Sequence, residues 1–403
     1  MQKIYRVAIV GGGAAGLMSA VELVYGNNSF SGDCIAIVER NDRVGKKLIA
    51  TGNGQGNLMN EHFSNENYYG QKDFVNAFCK NALDIRLEEC LYNIGIPLCT
   101  AKDGKKYPLS KQANSVLDII RCILQEKGVQ IFTESRVLSV KKQNQVFELK
   151  TENQCLFAQK VIIATGGKCA KQFGTDGSAY ALLENFGHSL TKTYPSLVQL
   201  KCDLDKIRGL KGLKETARVS AILGGKEVKS AVGDVLFTEY GVSGNAVFQV
   251  SGHLTKEDKG QIKIEFLPDL TIEQVEKMLI DREQCGIFNG ENKLVGIINK
   301  RIGQAVLKTA KSQSAKDIAK VLKDFRLNVT GNLGFNYAQV TKGGIKTEDF
   351  NENTMESKFV KGLYAVGEVL NIDGDCGGYN LTFAFVSGIV ASRHLKQQYK
   401  EKN

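Results

Sequence analysis

The sequence predicts an α/β protein: a doubly wound parallel sheet made from both ends of the chain, interrupted by a mainly antiparallel β insert and a small helical subdomain. Three observations carry that expectation. An apolar strand, a glycine-rich turn and an apolar helix follow one another from Val7 to Val24. The same order of textures returns from Gly362 to Leu395. Between them, from about Leu190 to Gln339, alternating segments and glycine pairs take over, the pattern of hairpins. At 403 residues the chain also exceeds what one hydrophobic core usually spans, so two or three packed units are expected.

The elements justify themselves in order. Val7 to Val10 is β-branched or small and apolar, which suits a strand buried on both faces. Gly11 to Gly16 then reads as a turn, Leu17 to Val24 as a helix and Ile35 to Val38 as a second buried strand, the opening of a doubly wound sheet. After a polar stretch from Thr51 to Tyr69, a helical region is expected to about Ile94 and another helix from about Ser115 to Lys127. Strands are expected at Gln130 to Phe132, Arg136 to Lys141, Val146 to Leu149 and Val161 to Ala164. In the middle, Val219 to Leu223 runs into Gly224-Gly225, a hairpin signal, and a charged, helix-prone tract extends from Thr271 to about Phe325. The expected boundaries are 1–190 and 340–403 for the nucleotide domain, 191–270 for the β insert, 271–330 for the helical subdomain and 331–339 for the return.

Composition narrows the class. With 42% hydrophobic and 24% charged residues, the chain is ordinary globular material. A formal charge of +10 would suit a polyanionic partner such as RNA, yet Lys and Arg are spread along the chain, so nucleic acid is not the expected partner. Ten cysteines without a CxxC pair suggest free thiols in a reducing cytosol, with neither a disulfide framework nor a metal site. Met1-Gln2-Lys3-Ile4 has no signal-peptide pattern, and no apolar run is long enough to cross a membrane, so a cytoplasmic protein is expected.

The chemistry begins at Gly11-Gly12-Gly13-Ala14-Ala15-Gly16, a G-x-G-x-x-G placed between a buried strand and a helix, with Glu39 ending the next strand. Gly11 permits the tight turn, Gly13 lets main chain approach a pyrophosphate, and Gly16 allows helix to pack on strand. The diphosphate belongs at the helix N-terminus, where free N–H groups and the dipole meet its charge. Glu39 is placed to accept from the ribose hydroxyls and would repel a 2′-phosphate. This pattern alone leaves FAD and NAD open.

The rest of the chain separates the two. Glu39-Arg40-Asn41-Asp42-Arg43-Val44-Gly45-Lys46-Lys47 resembles the E-x(3)-R-x-G pattern of the glutathione-reductase-like FAD superfamily. Val161 to Gly167 resembles its ATG strand, and Gly362 to Glu368 its second flavin motif. Thr51-Gly52-Asn53-Gly54, Val340 to Gly344, Gly374 to Leu381 and the middle segment Leu236 to Gly244 look like the bacterial flavoproteins labelled NAD(FAD)-utilising dehydrogenases, which include aminoacetone oxidases and bile-acid dehydro-reductases. Gln55 and Gly56, Glu239, Asn245 and Cys376 depart from that family's usual residues.

The resemblance implies a Rossmann-like domain holding non-covalent FAD, with NAD(P)H as a transient electron donor. It places Ala14, Ala15, Arg40, Lys46 and Lys47 beside the glycines and Glu39. Thr51, Gly52, Asn53, Gly54 and Asn57 would wrap the pyrophosphate and ribityl region, joined by Thr165, Gly166 and Gly367, and Glu368 would bind ribityl oxygens. The main chain of Val137 would meet adenine, and that of Asn380 and Leu381 the pyrimidine edge, where a helix start could stabilise negative charge. Gly378 would admit main chain against a planar ring. The implied activity is hydride transfer through flavin N5, either NAD(P)H-dependent reduction of a conjugated C=C or C=O bond or oxidation of a small amine by oxygen. An RNA-modifying flavoenzyme and a non-catalytic flavin carrier are the alternatives. His62, His188, His253 and His394 are isolated and read as structural or surface residues, as does the loop at Glu239 and Tyr240; Cys169 and Cys376 lack a partner thiol and read as inert.

Overall fold

A computed structural model describes residues 3–26, 30–254, 260–286 and 289–400. Met1 and Gln2 of the expected start lie outside the described residues. The chain divides into two compact units, Met1–Thr193 with Val340–Asn403, and Tyr194–Gln339.

The first unit is organised by one sheet. Its strands lie in the order Gln130–Phe132, Ile35–Val38, Ile4–Val10, Cys155–Ile163, Val146–Thr151 and Val137–Gln143, with Leu363–Ala365 also joining Cys155–Ile163. The long strand is shared. Its first half runs antiparallel to Val146–Thr151, through pairs such as Ala158 with Phe147, and its second half runs parallel to Leu363–Ala365 from Val161 onward. Ala8, Ile9, Val161 and Ile162 are wholly buried at the centre, as expected for parallel strands covered on both faces. The two ends of the chain meet on one side of this sheet, where helix Ala14–Val24 packs against helix Tyr379–Lys400. A Cβ at Gly388 would stand 2.6 Å from the Ala15 carbonyl oxygen, so only glycine permits that approach. The helical region before Ile94 is two helices, Lys72–Ile85 and Leu87–Asn93, parted at Arg86 in left-handed backbone at φ 51°.

In the second unit a closed barrel is formed by Leu200–Cys202, Gly241–Ser243, Lys226–Phe237, Lys214–Leu223, Gln261–Glu265 and Phe325–Asn332. The expected hairpin turns at Gly224 and Gly225, both at positive φ, the requirement of a tight two-residue turn. Helices Ile272–Gln284, Lys300–Thr309 and Ala315–Lys323 follow, the first opened by a reciprocal Thr271–Gln274 capping box. Leu279, Val306, Ile318 and Leu322 from these helices share one core with Val219, Phe237, Ile262 and Leu327 of the barrel. No helix among the described residues is long and apolar enough to cross a membrane.

Candidate nucleotide and flavin site

The first crossover is shaped by its glycines. Gly11 sits at φ +105°, and a Cβ there would stand 2.5 Å from the Ala164 carbonyl oxygen of the neighbouring strand. At Gly16 a Cβ would stand 2.0 Å from the Gly11 oxygen, which forces helix and turn into contact. Gly13, the residue that precedes helix Ala14–Val24, differs: a Cβ there would meet no atom within 4 Å. The main chain at Gly13 therefore borders open space, with the first N–H groups of a buried helix beside it.

Glu39 is buried and hydrogen-bonded through both oxygens. Its Oε2 accepts from the Gly12 N–H at 2.8 Å, and its Oε1 accepts from the Asn41 N–H at 2.8 Å and the Asn41 side-chain amide at 2.7 Å. Lone pairs on its oxygens remain for further donors. The same Asn41 amide also donates to the Phe173 carbonyl at 3.0 Å. Arg40 donates to the Gly174 carbonyl and pairs with Asp176 at 2.9 Å. Burial opposes ionisation of Asp176, but the Ser178 hydroxyl and N–H together with Arg40 hold its pKa down to about 2. Val137 opens strand Val137–Gln143 two residues after Ser135, whose N–H donates to the Glu39 carbonyl at 2.9 Å.

A second acid lies at the same helix. A Cβ on Gly367 would stand 2.9 Å from Ala15 Cβ, which sets the Gly367–Val369 turn against the start of the first helix. Glu368 follows; its Oε1 accepts from the Thr341 N–H at 2.9 Å and its Oε2 pairs with Lys47 Nζ at 2.6 Å. Lys46, by contrast, turns to Asp42 at 2.5 Å, so of the two expected lysines the structure brings Lys47 to the second acid. Thr341 Oγ1 in turn accepts from the N–H groups of Lys168 and Cys169. In the Thr51–Gly54 turn, Gly52 and Asn53 take left-handed backbone at φ 56° and 55°. Asn57 Oδ1 and Thr165 Oγ1 are buried without a hydrogen-bond partner, and Gly166 follows Thr165 at φ +71°.

The C-terminal glycine-rich loop gives one of its glycines a reason within the protein. Gly378 is at φ +103°, and a Cβ there would stand 2.4 Å from the Met59 carbonyl oxygen. Close approach of protein main chain therefore accounts for glycine at this position without a ring. The Asn380 side chain closes the loop on itself: Oδ1 accepts from the Gly374 N–H at 2.8 Å and Nδ2 donates to the Gly374 carbonyl at 2.8 Å. Leu381, in the first turn of helix Tyr379–Lys400, is half-buried. Asp375 Oδ1 accepts from Tyr69 at 2.8 Å. Burial, with Lys342 opposing and Asp375 and Glu368 adding to it, raises the neighbouring Asp373 to about 7.

The other candidates are structural in their contacts. His188 is buried, stacked on Phe350 at 4.5 Å and hydrogen-bonded to Ser357 at 3.0 Å. The His62 carbonyl accepts from Tyr379, and His394 lies beside Tyr364. Cys169 Sγ donates to the Val340 carbonyl, none of the ten cysteines is in a disulfide, and Glu239 pairs with Lys211 on the surface. Among the described residues no cluster of three or more His, Cys, Asp or Glu is placed to hold a metal. Asn41, Asp176 and Thr341 were not expected in the site; Asn41 and Asp176 act through contacts far apart in sequence, and only the Val340 to Gly344 motif hinted at Thr341.

These features fit an FAD. A helix N-terminus borders open space at Gly13, two carboxylates are held beside it, and two buried polar atoms lack partners. Residues 5–394 match the family model described as HI0933-like protein Rossmann domain. The chain belongs to this family. It is 34% identical over 405 residues to the 3-dehydro-bile acid delta(4,6)-reductase of Clostridium scindens, covering 96% of this chain and 98% of that one. It is 26% identical over 407 residues to the ribosomal RNA dihydrouridine synthase of Escherichia coli K12, covering 97% and 98%. Among solved structures, a 3-ketosteroid delta1-dehydrogenase from Sterolibacterium denitrificans shares the fold with a TM-score of 0.53 at 12% identity, over 98% of this chain and 100% of that one. The discontinuous Rossmann-like fold and the flavoprotein oxidoreductase class expected from the sequence stand with this membership.

Proposed function

We propose that the chain is an FAD-dependent reductase that uses NAD(P)H to reduce a small molecule in which a C=C bond is conjugated with a carbonyl. The observation that carries the cofactor half is the pair of carboxylates at one helix start, Glu39 on the Gly12 N–H and Glu368 beside Gly367. In this reading Gly11, Gly13, Ala14, Ala15 and Gly16 take the pyrophosphate, Glu39 and Arg40 the adenosine ribose, and Val137 the adenine. Lys46, Lys47, Thr51, Gly52, Asn53, Gly54, Asn57, Thr165, Gly166, Gly367 and Glu368 line the diphosphate and ribityl stretch, with Gly378, Asn380 and Leu381 toward the flavin. Bound FAD supplies the hydride chemistry. The chain supplies the rest: Glu39 and Glu368 orient hydroxyl groups, Lys47 pairs with Glu368 and holds it in place, and the first N–H groups of helix Tyr379–Lys400 favour negative charge at its start.

The choice of substrate class rests on the two full-length relatives. One is named for reducing Δ4,6 bonds of a 3-dehydro bile acid, the other for making dihydrouridine, which differs from uridine by a saturated C=C bond conjugated with a carbonyl. Both names describe the same bond change, and neither describes amine oxidation. Stopped-flow mixing tests this directly: NADH or NADPH bleaches the flavin, and a 4-en-3-one steroid restores the absorbance. Bleaching by amines alone would move the protein to the oxidase branch, and no bleaching by any donor would leave only a flavin carrier.

The second reading, reduction of uridine in RNA, is favoured by the match to the ribosomal RNA enzyme. It predicts re-oxidation by RNA rather than steroid, with binding that weakens steeply as salt rises.

A further inference from the structure

The carboxylates at Glu39 and Glu368 are joined by one short piece of chain. At the Glu39 end, the Asn41 side-chain amide bridges Glu39 Oε1 and the Phe173 carbonyl, at 2.7 and 3.0 Å. Gly174 lies directly over that amide: a Cβ there would stand 2.4 Å from Asn41 Nδ2, and the residue is at φ +91°. Arg40 repeats the tie through the Gly174 carbonyl and Asp176. At the Glu368 end, the N–H groups of Lys168 and Cys169 donate to Thr341 Oγ1, and the Thr341 N–H donates to Glu368 Oε1. Between these anchors the segment is stiff. A 3-10 turn at Lys171–Phe173 is flanked by left-handed Ala170 and Gly174, and the Thr175 hydroxyl closes back on the Cys169 and Ala170 carbonyls.

We infer that residues 168–176 form a strap that couples the two carboxylates gripping the cofactor, with Asn41 and Thr341 as its positioning residues. The inference rests on the FAD reading above. Neither side chain touches the reacting ring. Asn41 fixes the Glu39 carboxylate in the orientation that leaves its remaining lone pairs for the ribose, and Thr341 fixes Glu368 for the ribityl chain. Because the strap is short and stiff, seating one carboxylate seats the other, and an FAD bound at both ends gains from both anchors together. Asp176, ionised down to about pH 2, keeps the Arg40 tie intact throughout the working range.

The test compares FAD affinity and dissociation rate, read from flavin fluorescence, with the unfolding midpoint of the apoprotein. N41A is expected to weaken FAD about 10- to 100-fold, the effect of losing a hydrogen bond to a charged group, with the apoprotein midpoint unchanged. T341V, which removes the hydroxyl that holds the Lys168 and Cys169 N–H groups, is expected to weaken FAD from the Glu368 end. In the N41A/T341V pair the combined loss falls short of the product of the single losses, because a strap freed at either end no longer couples. Affinity within twofold of the parent protein in N41A and T341V, losses that simply multiply, or losses that track a falling apoprotein midpoint would each overturn the strap. A parent protein that takes up no FAD would instead overturn the cofactor reading.

Discussion

Two glycine-rich loops meet at the proposed cofactor, and they use glycine for different ends. In the first crossover, Gly11 and Gly16 are crowded by protein main chain, but Gly13 faces open space. In the C-terminal loop every glycine is crowded by protein: Gly374 by Tyr379, Gly377 by Asn60 and Gly378 by the Met59 carbonyl. The first loop keeps one position clear for a ligand, whereas the second is built to fold tightly onto strand Met59–Asn60. Glycine beside a cofactor site is thus not by itself a sign of cofactor contact; the space around its absent Cβ decides.

Substitutions sharpen the contrast. The largest effects are expected where main chain is in the way: G16A and G378A should each lower the unfolding free energy by about 2–3 kcal/mol or more in urea titrations of the apoprotein. G13A should leave that stability within about 0.5 kcal/mol and instead weaken FAD at least about tenfold. If G13A destabilised the apoprotein as much as G378A, the distinction between the loops would fail.

E368Q should weaken FAD about tenfold while costing less than about 1 kcal/mol of stability, because its partner Lys47 is partly exposed and such pairs contribute little. Fluorescence titration and thermal unfolding separate the two quantities. Asp373 gives a pH signature from the second loop. Its folded pKa of about 7 stands above the unfolded value near 3.9, so its contribution to stability is complete below about pH 4 and is lost as pH rises toward 7. D373N removes that loss, and the unfolding free energy of D373N relative to the parent apoprotein should rise from pH 4 to pH 8. A difference that stays flat with pH would place the ionisation elsewhere. The smallest effect is expected for C376S: burial pushes the thiol up, so at neutral pH no thiolate is lost, and the rate of flavin reduction by NAD(P)H should change less than about twofold.

What could be read from the sequence was what is local in it. The opening strand, turn and helix, the Gly224-Gly225 hairpin and the helices from Thr271 onward follow from periodicity and turn chemistry over a few residues. Closure of the barrel was not legible, because it depends on Leu200–Cys202 pairing with Phe325–Asn332, more than a hundred positions away. The same limit holds in the site. Gly16 carries its reason within six residues of chain, in the Gly11 carbonyl, whereas Gly11 on Ala164, Asn41 on Phe173 and Thr341 on Glu368 are contacts that only the folded sheet creates. The crowding of Gly378 was not legible for the same cause, since the Met59 backbone that meets it lies over three hundred residues upstream.

The shared strand Cys155–Ile163 also sets a timetable. Its last neighbour, Leu363–Ala365, and the helix that seals the sheet, Tyr379–Lys400, leave the ribosome after the whole of Tyr194–Gln339, which contains its complete barrel. The inserted unit can therefore close during translation while the flanking sheet still waits for its missing edge. Nascent chains stalled before residue 363 should hold a protease-resistant barrel beside an unfinished nucleotide fold.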